Sequence, residues 1–207
     1  MTTQETATRS AAALIRNEPV QARSTARLAA LLDAAARTVD EIGYERLTTA
    51  MVADGAGASI GTVYRYFPDR IAVLQSLALR NVERVGDAVV AALPGAQDWR
   101  GGLGRAFDAL VDAFRTEPGF ASLRFGDVID LRPVDSPPAG AELAVRVHRA
   151  LVEAYGVADD GESLVATEAA LVVADALIER AFAHDAAGDP GFLARGRAAM
   201  LAQFDQR

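Results

Sequence analysis

The side chains best suited to touching a phosphate-rich partner lie together between Gly57 and Arg70, in the order Gly57-Ala58-Ser59-Ile60-Gly61-Thr62-Val63-Tyr64-Arg65-Tyr66-Phe67-Pro68-Asp69-Arg70. Ser59, Gly61 and Thr62 are small enough to let a backbone approach a groove. Tyr64, Arg65 and Tyr66 follow with hydroxyls and a forked guanidinium that suit phosphate oxygens and base edges. Other chemistries lack their reagents. There is no cysteine, hence no disulfide, thiolate metal site or cysteine nucleophile, and the two histidines, His148 and His184, lie far apart in the chain. No glycine-rich phosphate loop or carboxylate constellation occurs either, so neither an enzyme nor a cofactor or metal is expected.

Positioning such a set requires helices, and the chain offers little else. Apolar residues recur at three- and four-residue spacing through Ala-rich stretches, without bounded alternating runs, which predicts an all-α fold. The first helix should run from about Ala22 to Ile42, with Leu28, Leu31, Leu32, Ala35, Val39 and Ile42 on one stripe and Gly43 as its stop. Thr48 should cap a second helix from Thr49 to about Ala56, ended by Gly57. Ser59 should cap a third that finishes near Phe67, because Pro68 disfavours helical geometry in the residue before it.

Further helices are expected at about Asp69 to Leu93, Trp99 to Arg115, Phe120 to Ile129, Ala141 to Tyr155, Glu162 to His184 and Pro190 to Phe204, about nine in all. The expected domains are a mobile polar arm over residues 1–20, a three-helix helix-turn-helix domain over 21–71, and a helical remainder over 72–207. No apolar run approaches the roughly 20 residues of a membrane span, and the opening stretch lacks the layout of a secretion signal, so a cytoplasmic address without membrane association is expected.

The net charge of −7 opposes nucleic-acid binding only if it is spread evenly. Residues 1–70 carry eight arginines against eight acids, so all the net acidity falls after them. Every basic side chain is Arg and none is Lys, a pattern that base composition of the genome accounts for most simply.

With those residues in place, the arrangement resembles the TetR family, the tetracycline-repressor-like transcriptional regulators. The resemblance is carried by Leu31-Leu32-Asp33-Ala34-Ala35, Gly43-Tyr44, Leu47-Thr48-Thr49, Val52-Ala53, Ala56-Gly57, Ser59 and Gly61-Thr62-Val63-Tyr64-Arg65-Tyr66-Phe67, over roughly residues 22–75. It implies a homodimer whose readers enter successive major grooves, about 34 Å apart, at a palindromic double-stranded DNA operator. Position by position, Thr49 matches a phosphate or base contact, Ile60, Gly61, Thr62, Arg65 and Tyr66 match the groove-facing set next to the capping Ser59, and Tyr64 and Arg70 match phosphate contacts. Val63 and Phe67 match packing positions. The chain departs from the family at Ala50 and Ile60, where a basic or polar residue is frequent, so fewer charged groups reach the bases. An isolated Tyr-x-Tyr would be read as half-buried packing, but the cap and the turn around it favour DNA contact here. Arg23 and Arg27, one turn apart, read equally as a backbone contact or a solvated face.

The resemblance further implies a small-molecule cavity among the later helices. Trp99, Phe107, Phe114, Phe120, Phe125 and Tyr155 are the aromatic candidates to line it, with Arg124, His148 and Asp175 as polar groups beside apolar stripes, although aromatics at helical spacing are more often core. Asp175 would either pair with an Arg across a dimer or bind a ligand amine. The last two helices carry too much apolar surface for one exposed side and are assigned to dimerisation. The expected function is a repressor released by a small hydrophobic or aromatic effector; the alternative is an activator, or a broad DNA binder without an effector.

Overall fold

The computed structural model describes residues 22–123 and 139–205. The expected arm over 1–20, together with Arg124, Phe125 and the Pro133 to Pro138 loop, lies outside them. The described residues hold eight α-helices and no strand: α1 Ala22–Ile42, α2 Thr49–Gly55, α3 Ile60–Tyr66, α4 Arg70–Ala92, α5 Trp99–Thr116, α6 Ala139–Tyr155, α7 Gly161–Phe182 and α8 Pro190–Ala202. A short 3-10 turn, Tyr44–Arg46, lies between α1 and α2 and has no counterpart in the expected helices. Its three residues are too few to leave a periodic signal. Of the helix expected over Phe120 to Ile129, residues 120–123 form turns, and the rest falls outside the described segment.

The chain divides into two compact units. The first comprises residues 22–81 with 118–123, so it takes in half of α4 and a later segment, both of which the expected boundary at 71 had assigned elsewhere. Its core gathers Leu31, Ala35 and Val39 of α1, Leu47, Val52 of α2, Val63 and Phe67 around α3, Val73, Leu74 and Leu77 of α4, and Leu123. The later segment joins through backbone as well as side chain. Gly119 donates its N–H to Asp40 Oδ1 at 3.2 Å, and at φ +74° a Cβ there would lie 3.1 Å from the Ala36 carbonyl. Small residues also let α2 approach α1, where a Cβ on Gly55 would stand 3.2 Å from that of Ala34.

In the second unit, residues 82–117 with 139–205, α7 packs along α6 and α8, and α5 packs against all three. Leu103, Phe107, Leu110, Leu143, Val147, Leu151, Ala174, Ile178 and Met200 are buried at these contacts. Arg197 of α8 reaches the Gly104 carbonyl at 2.9 Å and pairs with Asp108, both on α5. Gly104 leaves room for this: a Cβ there would lie 2.8 Å from the Arg197 guanidinium.

Glu83 opens a local electrostatic conflict in this unit. Its pKa is raised above the ordinary carboxylate value by partial desolvation first, then by Asp87 and Glu142, while Arg146, paired with Asp87 at 2.5 Å, opposes the shift. A carboxyl whose folded pKa exceeds its unfolded one subtracts stability when ionised, and the penalty fades as pH falls through the folded pKa. Glu83→Gln is therefore expected to raise the thermal midpoint at neutral pH, with the gain shrinking in acid. A gain that did not depend on pH, read by thermal melts at both ends of the range, would count against this cause.

Candidate nucleic-acid interface

A seven-residue helix needs outside support, and each end of α3 has it. The turn before it is closed by Gly57 at φ +59°, with Gly57 N–H donating to the Asp54 carbonyl at 3.1 Å and Ala58 N–H to Ala53 at 2.9 Å, the two bonds of a Schellman motif. Ser59 then caps the helix. Its Oγ accepts from Thr62 N–H at 3.2 Å and lies 2.9 Å from Thr62 Oγ1. Thr48 does the same for α2, accepting from Met51 N–H at 3.2 Å.

These supports divide the helix into two faces. Val63 and Phe67 are fully buried and hold α3 in the core, the packing role that the sequence gives them. Ile60 is 44% exposed and Tyr64 45%, and Ser59, Gly61 and Arg65 are exposed beside them. Among the described residues nothing requires Gly61 to be glycine, since its φ is not positive and a Cβ would meet nothing nearer than Ser59 Oγ at 3.8 Å. Tyr64 reaches back to α2, its hydroxyl 3.3 Å from Thr49 Oγ1, which joins two of the expected contact residues.

Two of the expected residues also make contacts inside the protein. Tyr66, expected to face a groove, is only 5% exposed; its ring belongs to the core and its hydroxyl lies 2.9 Å from Ser24 Oγ on α1. Alternation along the helix accounts for this, because Tyr66 follows Val63 by three residues and shares its inward face. Arg70, expected at phosphate, donates to the Glu45 carbonyl at 2.6 Å and so fastens the 3-10 turn to the start of α4. Beside α3 an open concavity is lined by Arg23, Ser24 and Arg27 of α1 and by Gly57, Ala58, Ser59, Thr62, Arg65 and Tyr66. Among the described residues that line it are three guanidiniums and no carboxylate, so Arg23 and Arg27 share this space with Arg65.

A family model described as "Tetracyclin repressor-like, C-terminal domain" matches residues 97–207, and another, "Bacterial regulatory proteins, tetR family", matches residues 31–77. The chain belongs to the TetR family. The crystal structure of a TetR-family transcriptional regulator from Streptomyces coelicolor is 31% identical, with a TM-score of 0.73 over 87% of this chain and 98% of that one. The HTH-type transcriptional repressor KstR of Rhodococcus jostii is 38% identical over 55 residues, 27% of this chain, and the match spans only 26% of the repressor's length. The fold also matches that of RolR, solved in complex with resorcinol, at 24% identity and a TM-score of 0.61 over 87% of this chain and 88% of that one.

In this TetR-family regulator the residues considered for a ligand cavity are scattered over several local environments. Tyr155 closes the connection between α4 and α5, its hydroxyl donating to the Leu93 carbonyl and accepting from Ala96 N–H at 3.3 Å, with its ring over Gly102. Trp99 lies tilted against Phe204 at 5.1 Å between ring centroids, under Arg100; Phe107 fills the crossing with Gly196; Phe114 stacks on Phe182 at 5.4 Å. Phe120 is buried and belongs to the first unit. His148 is the exception: its side chain is buried, neither ring nitrogen has a hydrogen-bond partner among the described residues, and Nε2 lies 3.4 Å from the exposed Asp159 carboxylate. Asp175 is partly buried on α7. Among the described residues no cluster of acids and histidines could hold a metal, and no helix is long and apolar enough to cross a membrane.

The turn before α3 yields a direct test. Gly57→Ala meets no atom within 4 Å, yet must hold a left-handed φ at a cost of about 1–2 kcal/mol, so thermal or urea melts should show destabilisation without any steric clash. Unchanged stability would mean that the turn does not need its left-handed geometry.

Proposed function

We propose that the protein is a homodimeric transcriptional repressor that sets the exposed side of α3 into the major groove of a palindromic operator and is released by a small hydrophobic or aromatic effector. The observation that carries the DNA reading is Gly61. Glycine in a helix interior costs about 1 kcal/mol relative to alanine and less in the first turn where Gly61 stands, and no packing among the described residues offsets it, so its use is assigned to a partner whose backbone must come close. Around it, Ile60 is placed to meet a thymine methyl, and Arg65 is the residue assigned to a guanine edge, worth about 1–3 kcal/mol of discrimination if bidentate. Thr49, Ser59, Thr62 and Tyr64 complete the facing set. Arg23 and Arg27 extend it toward the phosphate backbone, and a soluble cytoplasmic location follows from this role.

The dimer is inferred from α7. One side of this helix is buried through Thr167, Ala170, Leu171, Ala174 and Ile178. On another, Val165 is 65% exposed and Val172 59%, with Ala169 and Ala176 continuing the line at spacings of four, three and four. An apolar stripe of that period on an already packed helix calls for a second helix, and a copy of the same chain supplies it with matching geometry. For the effector, His148 supports a ligand carrying one polar group, because an imidazole buried without a hydrogen bond costs free energy that a bound polar atom recovers.

Selection of bound fragments from the source organism's DNA, with Tyr64→Ala as control, tests the reading as a whole. A short inverted repeat beside a promoter, lost in the variant, is expected; recovery of no preferred sequence favours the broad binder instead. Gly61→Ala should raise the stability of the free protein by about 0.5–1 kcal/mol and weaken DNA binding at least tenfold. Equal signs in the two assays would remove the close-approach argument. Val172→Asp should convert the dimer to monomer in sedimentation while leaving helix content unchanged, and a persistent dimer would place the interface elsewhere.

A further inference from the structure

On the exposed side of α3 the hydroxyl groups are already engaged with one another. Ser59 Oγ accepts from Thr62 N–H at 3.2 Å and lies 2.9 Å from Thr62 Oγ1, and the Tyr64 hydroxyl lies 3.3 Å from Thr49 Oγ1. Within each pair one hydroxyl gives its proton to the other, so each pair keeps a single donor for an outside partner. Ile60 stands in the chain between Ser59 and Thr62, one turn before Tyr64 and on the same side of the helix. Its side chain offers hydrocarbon alone, and 44% of its surface is exposed.

A lone exposed aliphatic residue is ordinary on a protein surface. What singles out Ile60 is its surroundings. Gly61 follows it, and a Cβ there would meet nothing nearer than Ser59 Oγ at 3.8 Å among the described residues, so a partner is free to come close beside Ile60. Isoleucine branches at Cβ and keeps one preferred rotamer in a helix, which presents its methyl groups in a fixed place at little cost in entropy. Among the base edges of a major groove such a surface has one apolar counterpart. Guanine, adenine and cytosine present acceptors and amino donors there, and thymine alone adds a C5 methyl. A donor or acceptor pressed against Ile60 loses water and gains no partner, whereas a methyl gives up nothing polar.

We infer that Ile60 is a specificity-determining residue that reads the C5 methyl group of a pyrimidine, so that the protein takes thymine at that place and holds cytosine there more tightly once the cytosine carries a C5 methyl. This rests on the DNA reading above and extends it from base sequence to base modification. 5-Methylcytosine keeps the amino donor of cytosine and sets its methyl at the carbon where thymine has one. The methyl is the chemistry common to both bases, and Ile60 has no polar atom with which to tell them apart. At an operator with cytosine in this place, binding therefore responds to methylation of the DNA, an input separate from a small-molecule effector.

The test titrates the full chain against a duplex recovered by fragment selection in which each thymine of the repeat is replaced in turn by deoxyuridine, a change that removes the C5 methyl and keeps every hydrogen-bonding group. Wild type is compared with Ile60→Ala at one fixed salt concentration. One position in each repeat is expected at which deoxyuridine weakens wild-type binding about fourfold, the worth of one buried methyl, and leaves Ile60→Ala unchanged. A cytosine–guanine pair at that position should weaken wild-type binding too, and 5-methylcytosine should recover about fourfold for wild type alone. Ile60→Val removes one methylene and serves if Ile60→Ala fails to fold; it should lower the discrimination at that position and at no other. Absence of any methyl-sensitive pyrimidine, or an equal loss in Ile60→Ala, would overturn the inference. Sensitivity to deoxyuridine without recovery by 5-methylcytosine overturns the claim for cytosine and confines the residue to thymine. Failure of wild type to bind any duplex overturns the DNA reading itself, and the inference with it.

Discussion

A helix of seven residues is too short to persist in water, where helices under about 12–15 residues are marginal even in favourable sequences. Everything that α3 presents therefore depends on what holds it. Val63 and Phe67 anchor one side in the core, the Schellman turn at Gly57 sets its entry, Ser59 satisfies its first free amides, and the two tyrosines tie it to α1 and α2. The exposed residues gain their fixed geometry from these buried ones. Preorganisation of this kind matters for recognition, because a reader that had to fold on contact would lose part of its binding energy to ordering.

Charge is arranged with the same economy. The chain is acidic overall, yet residues 1–70 are neutral, and within the described part Arg23, Arg27 and Arg65 meet at one concavity while Arg70 is drawn to a carbonyl. A local cationic surface on an acidic protein favours approach from one direction and discourages nonspecific adhesion elsewhere.

The helical fold was legible because its signals are local. Caps at Thr48 and Ser59, the stop at Gly57 and the stripe from Leu28 to Val39 all act within a few residues, and the family to which the chain belongs could be read from the same stretch. What escaped was non-local. No periodicity links Ser24 to Tyr66, Arg70 to Glu45, or Gly119 to Asp40, since each pairing depends on how distant turns come together. The aromatics of α5 show the converse limit: Phe107 and Phe114 have the spacing of a ligand box, but spacing alone does not tell a cavity wall from the packing against Gly196 and Phe182 that the structure gives them. His148 was recognisable only as a polar residue on an apolar face; its buried, unbonded imidazole required coordinates.

The central claim is that the free side of α3 is the surface that meets DNA. Site-specific photocrosslinking tests it most directly, with a photoreactive amino acid placed at position 60 on α3, at 172 on α7, or at 153 on α6, in the presence of a duplex recovered by the protein. The account predicts crosslinks from position 60 alone, mapping to bases in the major groove. Crosslinks from 153 or 172 with none from 60 would contradict it and place the DNA-binding surface elsewhere.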